Sequence, residues 1–375
     1  MKGTNILGLV FPNVNDICIP ELTSKRAIGS IPFGGKYRLI DFTLSNLVNS
    51  GIDRVGVVAE KKFASLMDHL GSGKAWDLSK RRGGLTILSP YSMGVDSFTT
   101  TIECMYNIRG FVEKSPEEYV LLTTGNNIFN CDYSKMIEQH TKTNADITFM
   151  YVHGSVSKGA TAPIIITTDT DNKITDMVIN PRVENATDVE CDYLFSSMFM
   201  KKELLLDLLV DCVSRNALDF RRNLILDNYK RFNVYGYEFT GYCSSITSLD
   251  TYFKTNMSLM DPLVRADLFN SDRPIFTKVR DDMPSKYGLG SSVNNSLIAQ
   301  GCVIEGEVEN SIISKGVHIG KGAKVDNCII MQDTKIGENA RLSYVICDKD
   351  VVIKNDRALM GYDTYPIYIA KDSTV

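Results

Sequence analysis

The sequence predicts an α/β protein in two parts: a mostly parallel sheet flanked by helices, followed by a parallel β-helix. Up to about residue 245, short apolar runs alternate with amphipathic segments, as expected when crossover helices join the strands of a sheet. From about residue 291, apolar residues recur at steps of five or six, the period of a hexapeptide solenoid. We therefore divide the chain into a first domain at 1–248, a connector at 249–290 and a β-helix domain at 291–375.

Six apolar runs in the first domain predict strands, at 4–11, 54–60, 85–90, 119–125, 146–152 and 162–168. Six further segments predict helices, at 41–51, 63–71, 99–114, 133–143, 201–216 and 247–261. The segment 201–216 carries its apolar residues at helical spacing, so we expect one of its faces to lie against the core.

The β-helix is predicted from one column of apolar positions, at Val303, Val308, Ile313, Ile319, Val325, Ile330, Ile336 and Leu342. Glycines recur between them, and no proline interrupts residues 291–342. An antiparallel β-sandwich would need strict alternation of apolar and polar residues, which this stretch lacks. We expect each coil to bury its apolar side chains in one shared column.

Composition excludes several classes of function. The 375 residues carry a net charge of −4, which gives no electrostatic basis for binding nucleic acid or an anionic membrane surface. No apolar run approaches the length of a bilayer span, so we predict no membrane segment. Nine cysteines without a CxxC pair predict reduced thiols in the cytoplasm, and four histidines argue against a histidine-based metal centre.

Three long stretches resemble one family. They are "RAIGSIPFGGKYRLIDFTLSNLVNSGIDRVGVVAE" at 26–60, "FASLMDHLGSGKAWDL" at 63–78 and "GEVENSIISKGVHIGKGAKVDNCIIM" at 306–331. The sequence resembles the glucose-1-phosphate adenylyltransferase family, also called ADP-glucose pyrophosphorylase, over nearly its whole length. This resemblance implies a nucleotidyltransferase-type, Rossmann-like first domain, a left-handed β-helix and a tetramer. It also implies the family reaction, in which glucose 1-phosphate attacks ATP with Mg²⁺ and forms ADP-glucose and pyrophosphate for glycogen synthesis.

The family's glycine loop is missing. When the pattern GG-x-G-x-R-L is placed without a gap before "RAIG", its glycines fall on Asn13, Val14 and Asp16, and its arginine falls on Cys18. Val14 disfavours the positive φ that glycine adopts freely, and Asp16 places a negative charge where a triphosphate would lie. The lysine of the family's "RAKP" is Ile28 here. A gapped alignment that conceals a working loop is the alternative, but of the two G-x-G runs before the repeat, the one at 71–73 follows a predicted helix and the one at 288–290 lies in the connector, not at a strand-to-helix turn.

The family's metal and sugar-phosphate groups are also replaced. Asn126 stands at the aspartate of the family's "GDH", and Ser245 stands at the aspartate of "YWRDVGT". Without these carboxylates a hard divalent cation loses its ligands, so we expect no Mg²⁺ and no other cofactor. Asn180 stands at the lysine of "EKP", where an uncharged amide cannot bind phosphate as a point charge.

A second set of charges is retained. The family's effector site uses two arginines of the first domain and two lysines of the β-helix, which match Arg26, Arg38, Lys349 and Lys371. The resemblance implies that these four bind phosphate or a sugar phosphate if the two domains pack together. The alternative is that Arg38 pairs with a neighbour such as Asp41 and binds no ligand.

These residues predict a regulatory subunit, catalytically inactive or weakly active, that associates with a catalytic paralogue in a hetero-oligomer. We expect no catalytic residue in this chain. Two alternatives remain: an active pyrophosphorylase with an altered site, and a stand-alone sensor of sugar phosphates or other anions.

Overall fold

The computed structural model describes residues 5–13, 18–60, 62–81, 83–89, 100–156, 163–179 and 189–375. Within these ranges a nine-stranded sheet with packed helices is followed by three parallel five-stranded sheets. The predicted fold class, an α/β domain followed by a left-handed β-helix of hexapeptide repeats, is confirmed. No described helix has the length and apolar character needed to cross a bilayer.

The strands of the first part are β1 Ile6–Phe11, β2 Pro32–Phe33, β3 Tyr37–Arg38, β4 Arg54–Val58, β5 Gly84–Leu88, β6 Tyr119–Thr124, β7 Asn127–Phe129, β8 Ile147–Val156, β9 Ile164–Thr168, β10 Ile174–Ile179, β11 Val189–Lys201, β12 Val234–Glu238 and β13 Cys243–Ser245. The helices are α1 Pro20–Thr23, α2 Leu39–Asn49, α3 Ala64–Leu70, α4 Thr101–Asn107, α5 Arg109–Lys114, α6 Ser134–Thr143, α7 Lys202–Ser214, α8 Leu249–Met257 and α9 Pro262–Leu268. A π-helix spans Phe220–Leu226.

The main sheet is mixed, with the strand order β10-β9-β11-β6-β1-β4-β5, and β8 pairs with β11 and β12. Strands β6, β1, β4 and β5 are mutually parallel, whereas β11 runs antiparallel to β6. All six predicted strands form. The predicted helix at 99–114 is two helices, since α4 ends at Asn107 and α5 begins at Arg109.

Strand β1 lies at the centre of the sheet and is covered on both faces. Leu7 and Leu9 belong to the apolar cluster that contains residues of α4 and α7. Ile6 and Val10 point to the other face and pack with α2, α3 and α6. Burial on both sides explains why the strand reads as a continuous apolar run and does not alternate.

The β-helix has three faces, each a parallel sheet of five short strands. The first face is β14 Lys286–Tyr287, β17 Val303–Ile304, β20 His318–Ile319, β23 Lys335–Ile336 and β26 Val352–Ile353. The second is β15 Ser292–Asn294, β18 Glu307–Glu309, β21 Lys324–Asp326, β24 Arg341–Ser343 and β27 Ala358–Met360. The third is β16 Leu297–Ile298, β19 Ile312–Ile313, β22 Ile329–Ile330, β25 Val345–Cys347 and β28 Ile367–Ile369. Strand β14 begins inside the stretch 249–290 that the sequence assigns to the connector.

The predicted apolar column forms the interior of the β-helix, with one correction. Seven of its eight positions are buried, but Val303 is only partly buried, because its neighbour Ile304 takes the inward position. Asparagines with positive φ, such as Asn310 and Asn327, turn the chain at one corner of successive coils. Asparagine tolerates this left-handed conformation better than most other residues.

A separate apolar cluster joins the two parts. Ile19, Leu22 and Phe42 of the first part pack in one cluster with Ile329 and Ile346 of the β-helix. The segment that contains Ile19 and Leu22 is therefore held against the third face of the β-helix. This packing positions Arg26 beside the last coils.

Candidate functional site

A cavity of about 740 Å³ opens at the carboxyl ends of β1 and β6, beside β11 and β13. Phe11 and Thr124, the last residues of β1 and β6, contribute to its wall. Ligands of open α/β sheets bind in crevices outside the carboxyl ends of the strands. The cavity therefore lies where the family resemblance places the catalytic site.

Pro12 packs tightly where the glycine loop would begin. Its carbonyl accepts a hydrogen bond of 3.0 Å from the N–H of Gly29. A Cβ on Gly29 would lie 2.9 Å from the Cβ of Pro12, and a Cβ on Gly125 would lie 3.0 Å from its Cα. Three backbones thus meet at van der Waals distance at the end of β1, and the two glycines are needed for that close approach.

The remaining loop positions are only partly described. Asn13 is buried, and its Oδ1 accepts a hydrogen bond of 3.2 Å from the backbone N–H of Glu60. Cys18 is exposed, just before α1. Val14 and Asp16 lie outside the described residues, as does Asn180. Ile28 is fully buried in the apolar cluster that joins the two parts, so that position belongs to the core.

The two positions predicted from the family aspartates lie side by side. Strand β13 pairs antiparallel with β7, and the backbone N–H of Ile246 donates to the carbonyl of Asn126 at 2.9 Å. The Asn126 side-chain amide donates back to the Ile246 carbonyl at 3.2 Å, and Ser245 Oγ donates to Asn127 Oδ1 at 2.5 Å. These polar groups therefore hold two strands together at the cavity wall.

The donor set does not fit Mg²⁺. Among the described lining residues the one carboxylate is Asp219, whose Oδ1 accepts the backbone N–H groups of Arg221 and Arg222 and so caps the π-helix. No group of three or more His, Cys, Asp or Glu residues that could hold a metal ion occurs in the described part of the chain. Amide and hydroxyl oxygens without a carboxylate are weak ligands for a hard cation.

Two features of this cavity were not predicted from the sequence. Arg221 contributes a cation to the wall, and burial lowers the pKa of its guanidinium while nearby Asp219 opposes that shift. Strand β11 bulges between Leu194 and Met198, where Ser196 adopts a φ of 57°. A π-helix and a β-bulge are both common beside functional sites, but neither leaves a clear pattern in one sequence.

The four predicted effector residues gather at the junction of the two domains. Arg26 Nη2 lies 2.8 Å from both carboxylate oxygens of Asp348, and both side chains are almost fully buried. Arg26 Nη1 is also buried and has no hydrogen-bond partner among the described residues. Tyr368 Oη donates to the same carboxylate at 2.8 Å. Of the two terminal nitrogens of this guanidinium, Nη2 thus contacts a carboxylate, whereas Nη1 has no acceptor among the described residues.

Lys349 has the most perturbed charge of the cluster. Burial, together with the positive charges of Arg38, Arg26 and Lys371 and against the opposing effect of Asp348, lowers the pKa of its ammonium to about 7. Like charges that lower one another's proton affinity must lie close together. The structure therefore brings all four predicted residues close enough to interact electrostatically, and Asp348 offsets part of their positive charge.

Arg38 does not bind Asp41 through its side chain, contrary to the alternative considered above. Its Nη1 donates to the carbonyl and the hydroxyl of Ser65 in α3, at 2.7 and 2.9 Å. Asp41 accepts the backbone N–H of Arg38 and pairs with His69 at 2.5 Å. Burial lowers the pKa of the Arg38 guanidinium, and the charge of Asp41 opposes that shift.

The Lys371 side chain is partly exposed. Its Nζ lies 3.8 Å from Asp350 and 3.9 Å from Asp372, so part of its charge is already offset. Asp348, the buried partner of Arg26, was not predicted as part of the site. It directly precedes Lys349 in "CDKD", and a carboxylate adjacent to a proposed anion-binding lysine was the available signal.

Comparisons with known proteins match both parts of the chain in the same order. A nucleotidyl transferase family model matches residues 19–208, and a model for the C-terminal hexapeptide of GlmU-like proteins matches residues 283–366. Over 373 residues the chain is 33% identical to the glycogen biosynthesis protein GlgD of Bacillus subtilis (strain 168), which covers 99% of this chain and 97% of that protein.

Two enzymes show similar identity over a shorter length. The glucose-1-phosphate adenylyltransferase of Thermosipho africanus is 33% identical over 325 residues, or 86% of this chain and 78% of the enzyme. That of Clostridium acetobutylicum is 34% identical over 327 residues, or 86% of this chain and 84% of the enzyme. The chain is thus about as similar in sequence to these two named enzymes as to GlgD, whose name states its pathway and no reaction.

Proposed function

Because the chain belongs to the glucose-1-phosphate adenylyltransferase family, we propose that it is a regulatory, non-catalytic subunit of that enzyme in glycogen biosynthesis. The enzyme forms ADP-glucose and pyrophosphate from ATP and glucose 1-phosphate. This chain binds a catalytic paralogue in a cytoplasmic hetero-oligomer, a tetramer by family resemblance, and shifts that paralogue toward its active state. Coupling of this kind is typically about 1–3 kcal/mol, which corresponds to a several-fold change in activity.

The cavity wall carries the proposal that the chain is not catalytic. Asn126 and Ser245 align with the two family aspartates, and the Asn126 amide nitrogen and the Ser245 hydroxyl donate to neighbouring protein groups. Phosphoryl and nucleotidyl transfer depend on cations that stabilise charge in the transition state. With the donor set described above, the chain binds no Mg²⁺ and provides little of that stabilisation.

The basic cluster carries the proposal of regulation by a phosphate-bearing effector. A phosphate group placed between Arg26 and Lys349 would give an acceptor to the buried Nη1 and a counter-charge to an ammonium whose pKa is about 7. Phosphate oxygens accept strong charge-assisted hydrogen bonds from such groups. The ligand is inorganic phosphate or a sugar phosphate, and Arg38 and Lys371 complete the site.

The test is an assay of the purified catalytic paralogue with and without this chain, over a series of hexose phosphates. We expect several-fold higher activity in the mixture and an altered effector response. If the mixture matches the paralogue alone in both respects, the proposal is wrong. Turnover by the isolated chain with saturable binding of ATP and Mg²⁺ would instead support an active enzyme, and a homotetramer indifferent to the paralogue in native mass spectrometry would support a stand-alone sensor.

The effector site is tested by calorimetric titration of the full chain with inorganic phosphate and glucose 6-phosphate. Lys349→Gln should weaken binding by about tenfold or more, since a charged hydrogen-bond donor is lost. Lys335→Gln removes an exposed lysine from another face of the same β-helix and is the matched control. Equal affinities in the two variants would contradict the assignment.

A further inference from the structure

The cavity that lacks the family's charged groups is nevertheless rich in hydroxyl groups. Among the 29 lining residues that the structure describes, eleven are serine or threonine: Thr100, Thr101, Thr123, Thr124, Ser155, Ser196, Ser197, Ser244, Ser245, Thr247 and Thr251. Each hydroxyl has one donor and two acceptor lone pairs, so it remains able to bind a ligand even when it bonds to a neighbour. This wall can exchange many hydrogen bonds with a polyhydroxylated molecule.

Ser196 is held in a strained conformation at this wall. Its φ of 57° is rare for a residue other than glycine, and it falls inside the bulge of β11. Ser196 Oγ lies 3.1 Å from Thr123 Oγ1, and Ser197 Oγ donates to the same oxygen at 3.3 Å. Strain of this kind persists where the surrounding structure uses it to place a side chain. Here it places two consecutive hydroxyls beside a third.

The charges on the described wall sum to zero. Arg221 and Asp219 are its charged residues, and they lie within one turn of each other at the start of the π-helix. Against the described wall, a triphosphate would bring several negative charges to one cation, Arg221, which already has the Asp219 carboxylate beside it. Burying such unbalanced charge is strongly unfavourable, whereas an uncharged ligand avoids that penalty.

The described wall also contains aromatic rings among its aliphatic side chains. Phe149, Tyr193, Phe195 and Phe220 line the cavity between the hydroxyl-bearing residues. Sugar rings present hydroxyl groups at their edges and C–H groups on their faces, so they pack on aromatic rings while their edges form hydrogen bonds. A volume of about 740 Å³ lies in the range of small-ligand sites.

We propose that this cavity binds an uncharged saccharide as a ligand and not a phosphorylated substrate. The partly exposed hydroxyl of Ser196 binds a sugar hydroxyl, the buried hydroxyls of Thr123 and Ser197 hold it in place, and the partly exposed rings of Tyr193 and Phe220 contact the sugar faces. This site is separate from the basic cluster at the domain junction, and its occupancy does not depend on a catalytic partner. The saccharide-binding proposal can therefore be correct even if the regulatory proposal is wrong, and the regulatory proposal can be correct even if no saccharide binds.

The test is titration of the full chain with glucose and with maltose, followed by saturation-transfer NMR and calorimetry, with glucose 1-phosphate and ATP–Mg²⁺ as comparison ligands. We expect one of the neutral sugars to bind at least as tightly as glucose 1-phosphate and ATP–Mg²⁺, since the phosphate groups of those ligands gain no favourable charge from this wall. Tighter binding of glucose 1-phosphate that is lost in Arg221→Gln would overturn the proposal. Absence of binding by both neutral sugars would overturn it as well.

A second variant separates the sugar contact from folding. Ser196→Gly removes the hydroxyl while relieving the positive φ, so the protein should be at least as stable as the wild type. Sugar affinity should nevertheless fall by about fivefold, the size of one lost hydrogen bond. Asn144→Gly, at an exposed positive-φ position that ends α6 outside the cavity, is the matched control and should retain full affinity. Equal affinities in these two variants would contradict the role of Ser196.

Discussion

Arg26 and Asp348 are joined by two contacts of 2.8 Å from a single guanidinium nitrogen, although 322 residues separate them in the chain. Arg26 follows α1 in the first domain, and Asp348 follows β25 in the β-helix. Their side chains are 5% and 2% exposed, so the pair is shielded from water. One buried ion pair therefore connects the two domains beside the proposed effector site.

Removing one partner of this pair should strongly destabilise the chain. In Asp348→Ala the Arg26 charge stays buried without its carboxylate, and such changes typically lower the free energy of unfolding by about 3–5 kcal/mol. Urea denaturation followed by circular dichroism measures the loss.

The exposed ion pair between Lys25 and Asp372 is the control at the same junction. Its side chains are 58% and 54% exposed, so Lys25→Ala should change the free energy of unfolding by less than about 1 kcal/mol. Similar losses in the two variants would show that the buried pair has no special role.

Lys349 should make stability depend on pH. Burial and the neighbouring arginines hold its pKa at about 7 in the folded chain, against an ordinary value of 10.5. Between these two values the unfolded chain binds more protons than the folded chain, so the free energy of unfolding rises with pH across that window. As pH falls from 10.5 the gain is lost progressively, and the loss is complete once the folded-state pKa of about 7 is passed. Urea denaturation between pH 6 and 9 should show the rise in the wild type, and Lys349→Met should reduce it.

The same residue should couple anion binding to protons. A bound anion favours the charged ammonium, so sulfate, which keeps two charges over this range, should bind more weakly as the pH rises above 7. Calorimetry in two buffers of different ionisation enthalpy would detect the proton uptake. A sulfate affinity that does not change with pH would exclude Lys349 from the anion site.

Packing at the end of β1 predicts that alanine substitutions at two glycines, Gly29 and Gly110, have different effects on the free energy of unfolding. Gly29→Ala would place a methyl group 2.9 Å from the Cβ of Pro12, and overpacking of this kind typically lowers the free energy of unfolding by about 1–3 kcal/mol. Gly110→Ala in α5 meets no atom within 4 Å and should be neutral or stabilising, because alanine favours a helix. Thermal denaturation of the two variants measures both effects, and a stable Gly29→Ala variant would contradict the packing.

Restoring the two carboxylates should restore a response to metal. In the double variant Asn126→Asp and Ser245→Asp, two acidic side chains would lie on neighbouring strands at the cavity wall. Mg²⁺ should then raise the melting temperature of the double variant, since a ligand that binds only the folded state stabilises it. The wild type and the single Asn126→Asp variant should not respond. A saturable response in the wild type would mean that the chain still holds the ion.

Strands were predicted from the sequence where the hydrophobic pattern is regular along the whole strand. Strand β1 reads as a continuous apolar run because both of its faces are covered. Strand β11, with 13 residues, was missed because its bulge breaks the alternation near Ser196. The break between α4 and α5 was also missed, since apolar residues continue through Ile108 at helical spacing.

The sequence also predicted only some of the residues at each candidate site. Motif positions identified Asn126 and Ser245, and the structure places both in the cavity wall. The identity of Lys349 was likewise visible in the sequence, but its low pKa comes from burial and from charges distant in the chain. Asp348 was missed for the same reason, because a pairing across 322 residues is determined by how the domains dock.

The contact of Pro12 with Gly29 and Gly125 also limits what one substitution at the end of β1 could achieve. A Cβ on Gly125 would lie 3.0 Å from the Cα of Pro12 and 3.7 Å from the Cα of Gly29, so the three backbones already fill this space. Replacing Pro12 by glycine would therefore not by itself open room for a phosphate group. Under the proposed function, engineering nucleotidyl transfer into this chain would need a rebuilt loop together with carboxylates at positions 126 and 245.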